Sequence, residues 1–310
     1  MPHRCLPQCH TSGLPLTSRA RRVRPDAYDN RPDAIVADYA PTSILAAQIG
    51  GITVHRMGTT FFNPPTHKRY PLRPWFASET DSYNRVDSSI SNVSSILALR
   101  TSSLKSVLAS AVCHTTTWPE TDHLGLSGGV TYLGPLNDAT GVASPRWNGL
   151  GRRAVVYMPL TNPNAKLLIK AFKRLAVSVC WYAPDLTSPG QAHDISFFSQ
   201  PLYLPAALEH AQVFVSRGGH SGACDSLVAG CPMLNFPDQL ESALLSYQMS
   251  RKGLCIGLGR ETQPDRLEAT LADIFEDAAM RTRVGEVARK YIRYDARVAA
   301  DSLVSAVIGR

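Results

Sequence analysis

Apolar runs along this chain are short, and they alternate with stretches whose apolar positions recur every three or four residues. Pro32–Asp38 reads as a short buried strand ending in an acid, Thr42–Ile49 as a helix rich in Ala and Leu, and Ile52–Met57 as the next strand. Ser88–Ser110 carries Ser, Leu and Ile at helical spacings, and Val107–Thr115 and Val130–Gly134 read as strand-like runs around the loop Thr117–Leu124. Asn137–Gly151, with its Gly, Pro, Asn and Asp, reads as a linker. Beyond it the alternation resumes: strand Ala154–Met158, amphipathic helix Asn164–Leu175, strands Val177–Tyr182 and Ile195–Phe198, helix Pro205–His210, and strand Leu254–Leu258. Near the end, Leu267, Leu271, Ile274 and Phe275 share one helical face behind Pro264. Strands alternating with helices predict an α/β protein with parallel, doubly wound sheets. The organisation expected is a disordered leader over 1–30, where no periodicity is seen and no acid precedes Asp26, a first domain over 31–136, the linker, and a second domain over 152–310.

One stretch of the second domain carries chemistry. The apolar run Ala211–Val215 reaches Ser216-Arg217-Gly218-Gly219 and passes into a helical segment over Ser221–Ala229, followed by Gly230-Cys231-Pro232 and a second short strand, Met233–Phe236. Gly218 and Gly219 let a backbone approach a ligand closely, and the first N–H groups of the helix, with their partial positive charge, suit a phosphate. Arg217 adds a permanent planar cation. A packing role for the two glycines is the plain alternative, but two strand ends converge here, where ligands of open α/β sheets sit.

These residues resemble the donor motif of the two-Rossmann-domain (GT-B) nucleotide-sugar glycosyltransferases, specifically the UDP-glycosyltransferase superfamily and its bacterial members. The motif reads roughly His-Gly-Gly-x-Asn-Ser, an acid, Gly-x-Pro, then Pro-x-x-x-Asp/Glu-Gln. Gly218, Gly219, Asp225, Gly230, Pro232, Pro237 and Glu241 fall on its positions, with Arg217 where the diphosphate-binding His usually stands, Ser221 and Gly222 in place of Asn-Ser, and Ser242 in place of the Gln. Asp238-Gln239 lies too close to Pro237 to be the acidic pair. The resemblance extends to about residue 31: Pro32-Asp33 with Ala37-Asp38, Gly51-Ile52-Thr53, Gly58-Thr59, Pro119-Glu120-Thr121-Asp122 and Tyr132-Leu133-Gly134-Pro135 match its first domain, and 63–74, with His67, Lys68, Arg69, Trp75 and Phe76 in and after it, matches its acceptor loops. Terminal helices in that family brace the first domain.

The resemblance implies two Rossmann-like parallel-sheet domains of GT-B type, the first incomplete, and a nucleotide diphosphate sugar, UDP-linked by the family's habit, as donor. It implies donor contacts from Arg217, Gly218, Gly219, His220, Ser221, Gly222, Asp225 and Glu241, with Asp225 toward the ribose and Glu241 toward the sugar. Arg217 and the helix N-terminus supply the countercharge, so no metal or cofactor is expected. Asp38 matches the acid that orients the family's catalytic His, while the βα units that carry this His have no counterpart in 1–30. Three readings stay open: a glycosyltransferase acting on a small-molecule acceptor, a catalytically impaired nucleotide-sugar-binding or partner protein, and a GT-B epimerase. An incomplete first domain also leaves room for a protein partner or oligomer that covers it.

Composition narrows these only slightly. With 310 residues, 44% hydrophobic and 18% charged, the chain is a soluble globular type with room for two domains of about 150 residues each. No apolar run approaches the ~18 residues that span a bilayer. The net charge is +7, but Arg19, Arg21, Arg22 and Arg24 crowd one end and no basic stripe alternates with aromatics, which argues against nucleic acid as partner. Cys5, Cys9, Cys113, Cys180, Cys224, Cys231 and Cys255 make an odd count, several inside apolar runs, as in a cytoplasmic protein with reduced thiols.

Overall fold

The computed structural model describes residues 32–64, 66, 80–125, 130–136, 141–148, 151–259 and 262–309. The leader and most of the loop matched to the family's acceptor region lie outside them, as do 137–140 and 149–150 of the linker. These described residues form two compact units, one taking in those before Thr59, those of 62–115 and those from Val304 on, the other Thr59–Phe61 and those of 116–303.

The first unit has a three-stranded parallel sheet, β1 (Ala34–Asp38), β2 (Thr53–Gly58) and β3 (Val112–Thr115), in the order β1-β2-β3. Between β1 and β2 runs α1 (Pro41–Gly50), with Pro41 in its first turn and Gly51 ending it at φ 64°, a left-handed conformation that costs glycine nothing. α2 (Thr80–Ile96) and α3 (Leu104–Ala109) follow. Ile44, Leu45, Val54, Ile90, Val107 and Leu108 form the core of the unit. Two sequence expectations are corrected here. Val107 is helical rather than in a strand, because Ser103 caps α3 by accepting from the Ser106 backbone N at 3.2 Å. β1 is not buried: it is an edge strand in which Ala37 alone is buried and Val36 is exposed.

The second unit is a seven-stranded sheet in the order β10-β9-β8-β4-β5-β7-β6. Its elements are β4 (Arg153–Tyr157), α4 (Ala165–Arg174), β5 (Ser178–Tyr182), β6 (Gly190–Ala192), β7 (Ile195–Phe198), α5 (Leu204–Leu208), β8 (Val213–Ser216), α6 (His220–Val228), β9 (Met233–Asn235), α7 (Leu240–Arg251), β10 (Cys255–Gly257), α8 (Pro264–Glu276), α9 (Ala278–Tyr291) and, as far as Leu303, α10 (Ala296–Ile308). β6 pairs antiparallel with β7 at one edge, and every other pairing is parallel. Alternate residues of β4 feed the two faces. Ala154 and Val156 pack with Leu168, Phe172, Leu271 and Ile274 of α4 and α8, while Val155 packs with Leu208, Leu227, Met249 and Val284 of α5, α6, α7 and α9. Both faces are thus covered, as in a doubly wound fold.

The described residues from Thr116 to Pro135 belong to this unit, although the composition places the boundary at 137–151. Trp118 is 3% exposed, stacked on Tyr291 at 4.0 Å and edge-on to Tyr294 at 5.0 Å. Glu120 accepts from Lys290 at 2.8 Å and from Tyr291 at 2.6 Å. Burial would push its carboxyl up, but these bonds hold it below the usual range. Val130–Gly134, expected as a strand, joins neither sheet, and the Tyr132 hydroxyl instead donates to Asp122 at 2.8 Å. Among the described residues no helix is long and apolar enough to cross a membrane, and the five described cysteines are free thiols.

Candidate functional site

β8 ends at Ser216 and the chain turns through Arg217, Gly218 and Gly219 into α6. Gly218 sits at φ 80°, open to glycine at no cost, and a Cβ there would lie 2.6 Å from the Ser246 hydroxyl. The Gly218 N–H donates to the Ser216 hydroxyl at 3.0 Å, which itself donates to Asn235 Oδ1 at 3.0 Å. Gly219 is the N-cap of α6 at φ −70°, ψ 144°, and offers no side chain, so the first N–H groups of the helix have no side-chain partner. Asn235 Nδ2 and Ser246 Oγ, both buried, are also without partners. An anion at the head of α6 meets free N–H groups and the positive end of a nine-residue helix.

The turn opens into a cleft of about 220 Å³ whose wall includes Arg217, Gly219, Gly222, Asp238, Glu241 and Tyr157. It lies outside the carboxyl ends of β8 and β9, where the loops after both strands meet. Arg217 Nη1 is 3.1 Å from Asp238 Oδ2, in a pair whose side chains are 47% and 34% exposed. Gln239 caps α7, with the Ser242 hydroxyl donating to the Gln239 carbonyl at 3.0 Å, and this first turn carries Glu241 to the cleft. A larger cavity of about 570 Å³ lies beside β7, with Arg146 as its charged group.

Of the residues singled out in the sequence, Arg217, Gly219, Gly222 and Glu241 therefore meet at one cleft, with Gly218 forming the turn beneath it. The remaining four do not line it. Ser221 is exposed on the first turn of α6. His220 hydrogen-bonds Thr117 through Nε2 at 2.7 Å. Burial, with the nearby His123 ring adding to it, pushes its pKa down to about 3, so it stays neutral. Asp225, on another face of α6, opens into a separate cavity of about 420 Å³ with Trp118, Arg293 and Tyr294. Burial raises its carboxyl to about 6. Asp38 ends β1 in the first unit, exposed, with its carboxylate beside Gly58.

Two further residues join the site: Asp238, which the sequence sets aside for its closeness to Pro237, and His123, which it does not single out. His123 is completely buried, its ring 5.6 Å from that of His220 and 6.0 Å from that of Phe61, and its Nε2 lies 3.4 Å from Glu241 Oε1. Neither ring nitrogen makes a hydrogen bond. Its place is fixed by Asp122, which accepts from the Thr60 hydroxyl at 2.5 Å and from the Leu124 N–H at 2.8 Å, while the His123 N–H donates to Thr60 Oγ1 at 3.1 Å.

Solved structures share this architecture. A glycotransferase of kitacinnamycin superposes with a TM-score of 0.71 at 16% identity, covering 94% of this chain and 80% of its own. The fold is that of the GT-B glycosyltransferases. The calicheamicin glycosyltransferase CalG4 gives a TM-score of 0.70 at 17% identity over 95% of this chain and 80% of that one. The glycosyltransferase VinC, solved in complex with dTDP, gives 0.66 at 14% identity over 95% and 76%. No protein-family model and no curated protein matches the chain.

Proposed function

We propose that this protein is a glycosyltransferase that holds a nucleotide diphosphate sugar at the β8–α6 turn and moves the sugar to a small-molecule acceptor. The observation that carries this reading is the uncapped N-terminus of α6 opening, beside Arg217, into a cleft that also presents Glu241. The leaving diphosphate develops charge as the glycosidic bond breaks, and the free N–H groups with Arg217 stabilise that charge where it forms. Glu241, as an acceptor-only carboxylate, orients sugar hydroxyls. The GT-B neighbours, one of them solved with dTDP, support a nucleotide-linked donor, so UDP and dTDP sugars are the donors to try first.

A second reading is a nucleotide-sugar-binding protein with impaired catalysis, and one observation favours it. Among the described residues no histidine lines the cleft, and His220, which sits in the turn itself, is held neutral and bonded to Thr117. Asp38 would orient a base in the first unit, as the family resemblance implies. Incubation with a panel of UDP and dTDP sugars and acceptor mixtures, followed by mass spectrometry, separates the two. Glycosylated product or released nucleoside diphosphate establishes transfer or hydrolysis; saturable donor binding with neither supports the second reading; absence of any binding overturns both.

A further inference from the structure

Glu241 and Asp238 both line the cleft, yet only Asp238 is paired with Arg217. A second carboxylate on that guanidinium would cancel the charge a diphosphate needs. Glu241 is instead 3.4 Å from His123 Nε2, and the two sides of this contact are unlike: the Glu241 side chain is 27% exposed, the His123 side chain 0%. The imidazole has no path to solvent or to a ligand, so it cannot act on substrate directly. Two buried ring nitrogens without hydrogen bonds are costly in a closed interior. Its ring neighbours, Phe61 at 6.0 Å and His220 at 5.6 Å, make no hydrogen bond to it.

We infer that His123 is a positioning residue for Glu241. Across this 3.4 Å contact, longer than a formed hydrogen bond, Nε2–H attracts Oε1, holding the carboxylate away from Arg217 and turning Oε2 toward the hydroxyls of a bound sugar. Of the groups that face the imidazole, Glu241 is the one that can accept from Nε2–H. Glu241 on α7 supplies the acceptor and His220 on α6 is neutral. Asp122, its chain neighbour, is already engaged by Thr60, Leu124 and Tyr132. Phe61 is apolar. Glutamine at 123 reaches the same acceptor with an amide N–H; leucine cannot.

The inference rests on the donor-site reading for its effect on sugar recognition but not for the His123–Glu241 contact itself, and the test separates the two. In ¹⁵N spectra of the full-length protein the His123 ring is expected as the Nε2–H tautomer, with a signal that moves in Glu241→Ala. A Nδ1–H tautomer, or a signal indifferent to that change, overturns the inference whatever the protein binds. Calorimetry with UDP, dTDP and their glucose conjugates then reads the consequence. His123→Leu is expected to weaken the sugar conjugate about tenfold while the free diphosphate binds as before, and His123→Gln to restore the conjugate to within about threefold. Equal loss of both ligands in His123→Leu, or no rescue by Gln, marks a purely structural histidine and overturns the inference. If wild-type protein binds none of the four ligands while the Nε2–H signal responds to Glu241→Ala, the donor-site reading fails and the His123–Glu241 contact stands.

Discussion

In the proposed donor site, an ion pair and a diphosphate compete for the Arg217 guanidinium. Its bond to Asp238 is largely in solvent, and exposed pairs of this kind contribute about 0.2–1 kcal/mol. A charge-assisted bond to a diphosphate contributes about 1.5–3 kcal/mol, so the ligand wins the cation. Arg217→Ala is therefore expected to weaken UDP or dTDP roughly ten- to a hundredfold by calorimetry, and Asp238→Asn to tighten it a few-fold. Unchanged affinity in Arg217→Ala removes the turn from the donor site. Two other side chains, five residues apart on α6, pull the pH dependence of stability in opposite directions. Asp225 has its pKa raised to about 6 by burial, so between about 3.8 and 6 the folded state holds a proton that the unfolded state releases, and stability falls as pH rises through that window. His220, pushed down to about 3, binds fewer protons folded than unfolded from about 3 to 6.5, so its share of stability rises with pH and is complete above 6.5. Melting temperatures from pH 4 to 6.5 are expected to climb with pH more steeply in Asp225→Asn than in wild type, and less steeply in His220→Gln. The same slope in all three proteins contradicts both shifts. The glycine turn and Arg217 were legible in the sequence because the turn is a local device: strand, two glycines and helix lie within twenty residues. Asp238, set aside for its closeness to Pro237, and His123 were not read as site residues, since what matters is a contact made across 21 residues in one case and 118 in the other, and neither spacing has a helical or strand period to betray it.

At the scale of elements, caps decide what hydrophobic pattern leaves open. Val107–Thr115 carries apolar residues that serve a helix or a strand equally well, and the Ser103 hydroxyl tips the first part into α3 by satisfying the Ser106 N–H. Loss of this cap in Ser103→Ala is expected to cost the first unit about 1 kcal/mol, read as a lower denaturation midpoint for probes on β1–β3. An unchanged midpoint means packing of Val107 and Leu108 alone fixes the helix. α6 makes the complementary choice. Its N-cap is glycine, and the Ser, Thr, Asn or Asp that would close the helix is missing from that position. Stability forgone there leaves the N–H groups free for a ligand, which is why the alternation of strands and helices was readable from the sequence while the one uncapped end that matters had to be seen folded. Val130–Gly134 fails for the opposite reason: its apolar content suits a strand, but Tyr132 is committed to Asp122 and no sheet edge receives the run.

At the scale of the whole molecule, the two compact units differ in how well they are closed. The seven-stranded sheet has helices on both faces, whereas the three-stranded sheet presents β1 as an edge with Val36 exposed. Burial rises with size, so the smaller sheet is the weaker of the two. The segment Thr116–Leu124 sharpens this into a test, because it continues directly from β3 in the first unit yet makes its contacts in the second. Trp118 stacks on Tyr291, Glu120 binds Lys290 and Tyr291, and Lys252 donates to the Pro119 carbonyl. Stability of a segment follows the contacts it makes, not its neighbours in the chain. In hydrogen exchange of the full-length protein across a series of urea concentrations, amides of β1–β3 are expected to exchange first. Those of 118–124 are expected to hold as long as β4 and β8, and Trp118→Ala to release the segment without changing the protection of β1. If 118–124 opens together with β1–β3 instead, the aromatic and ionic contacts to α9 do not bind it to the second unit, and the composition-based boundary at 137–151 is the correct one.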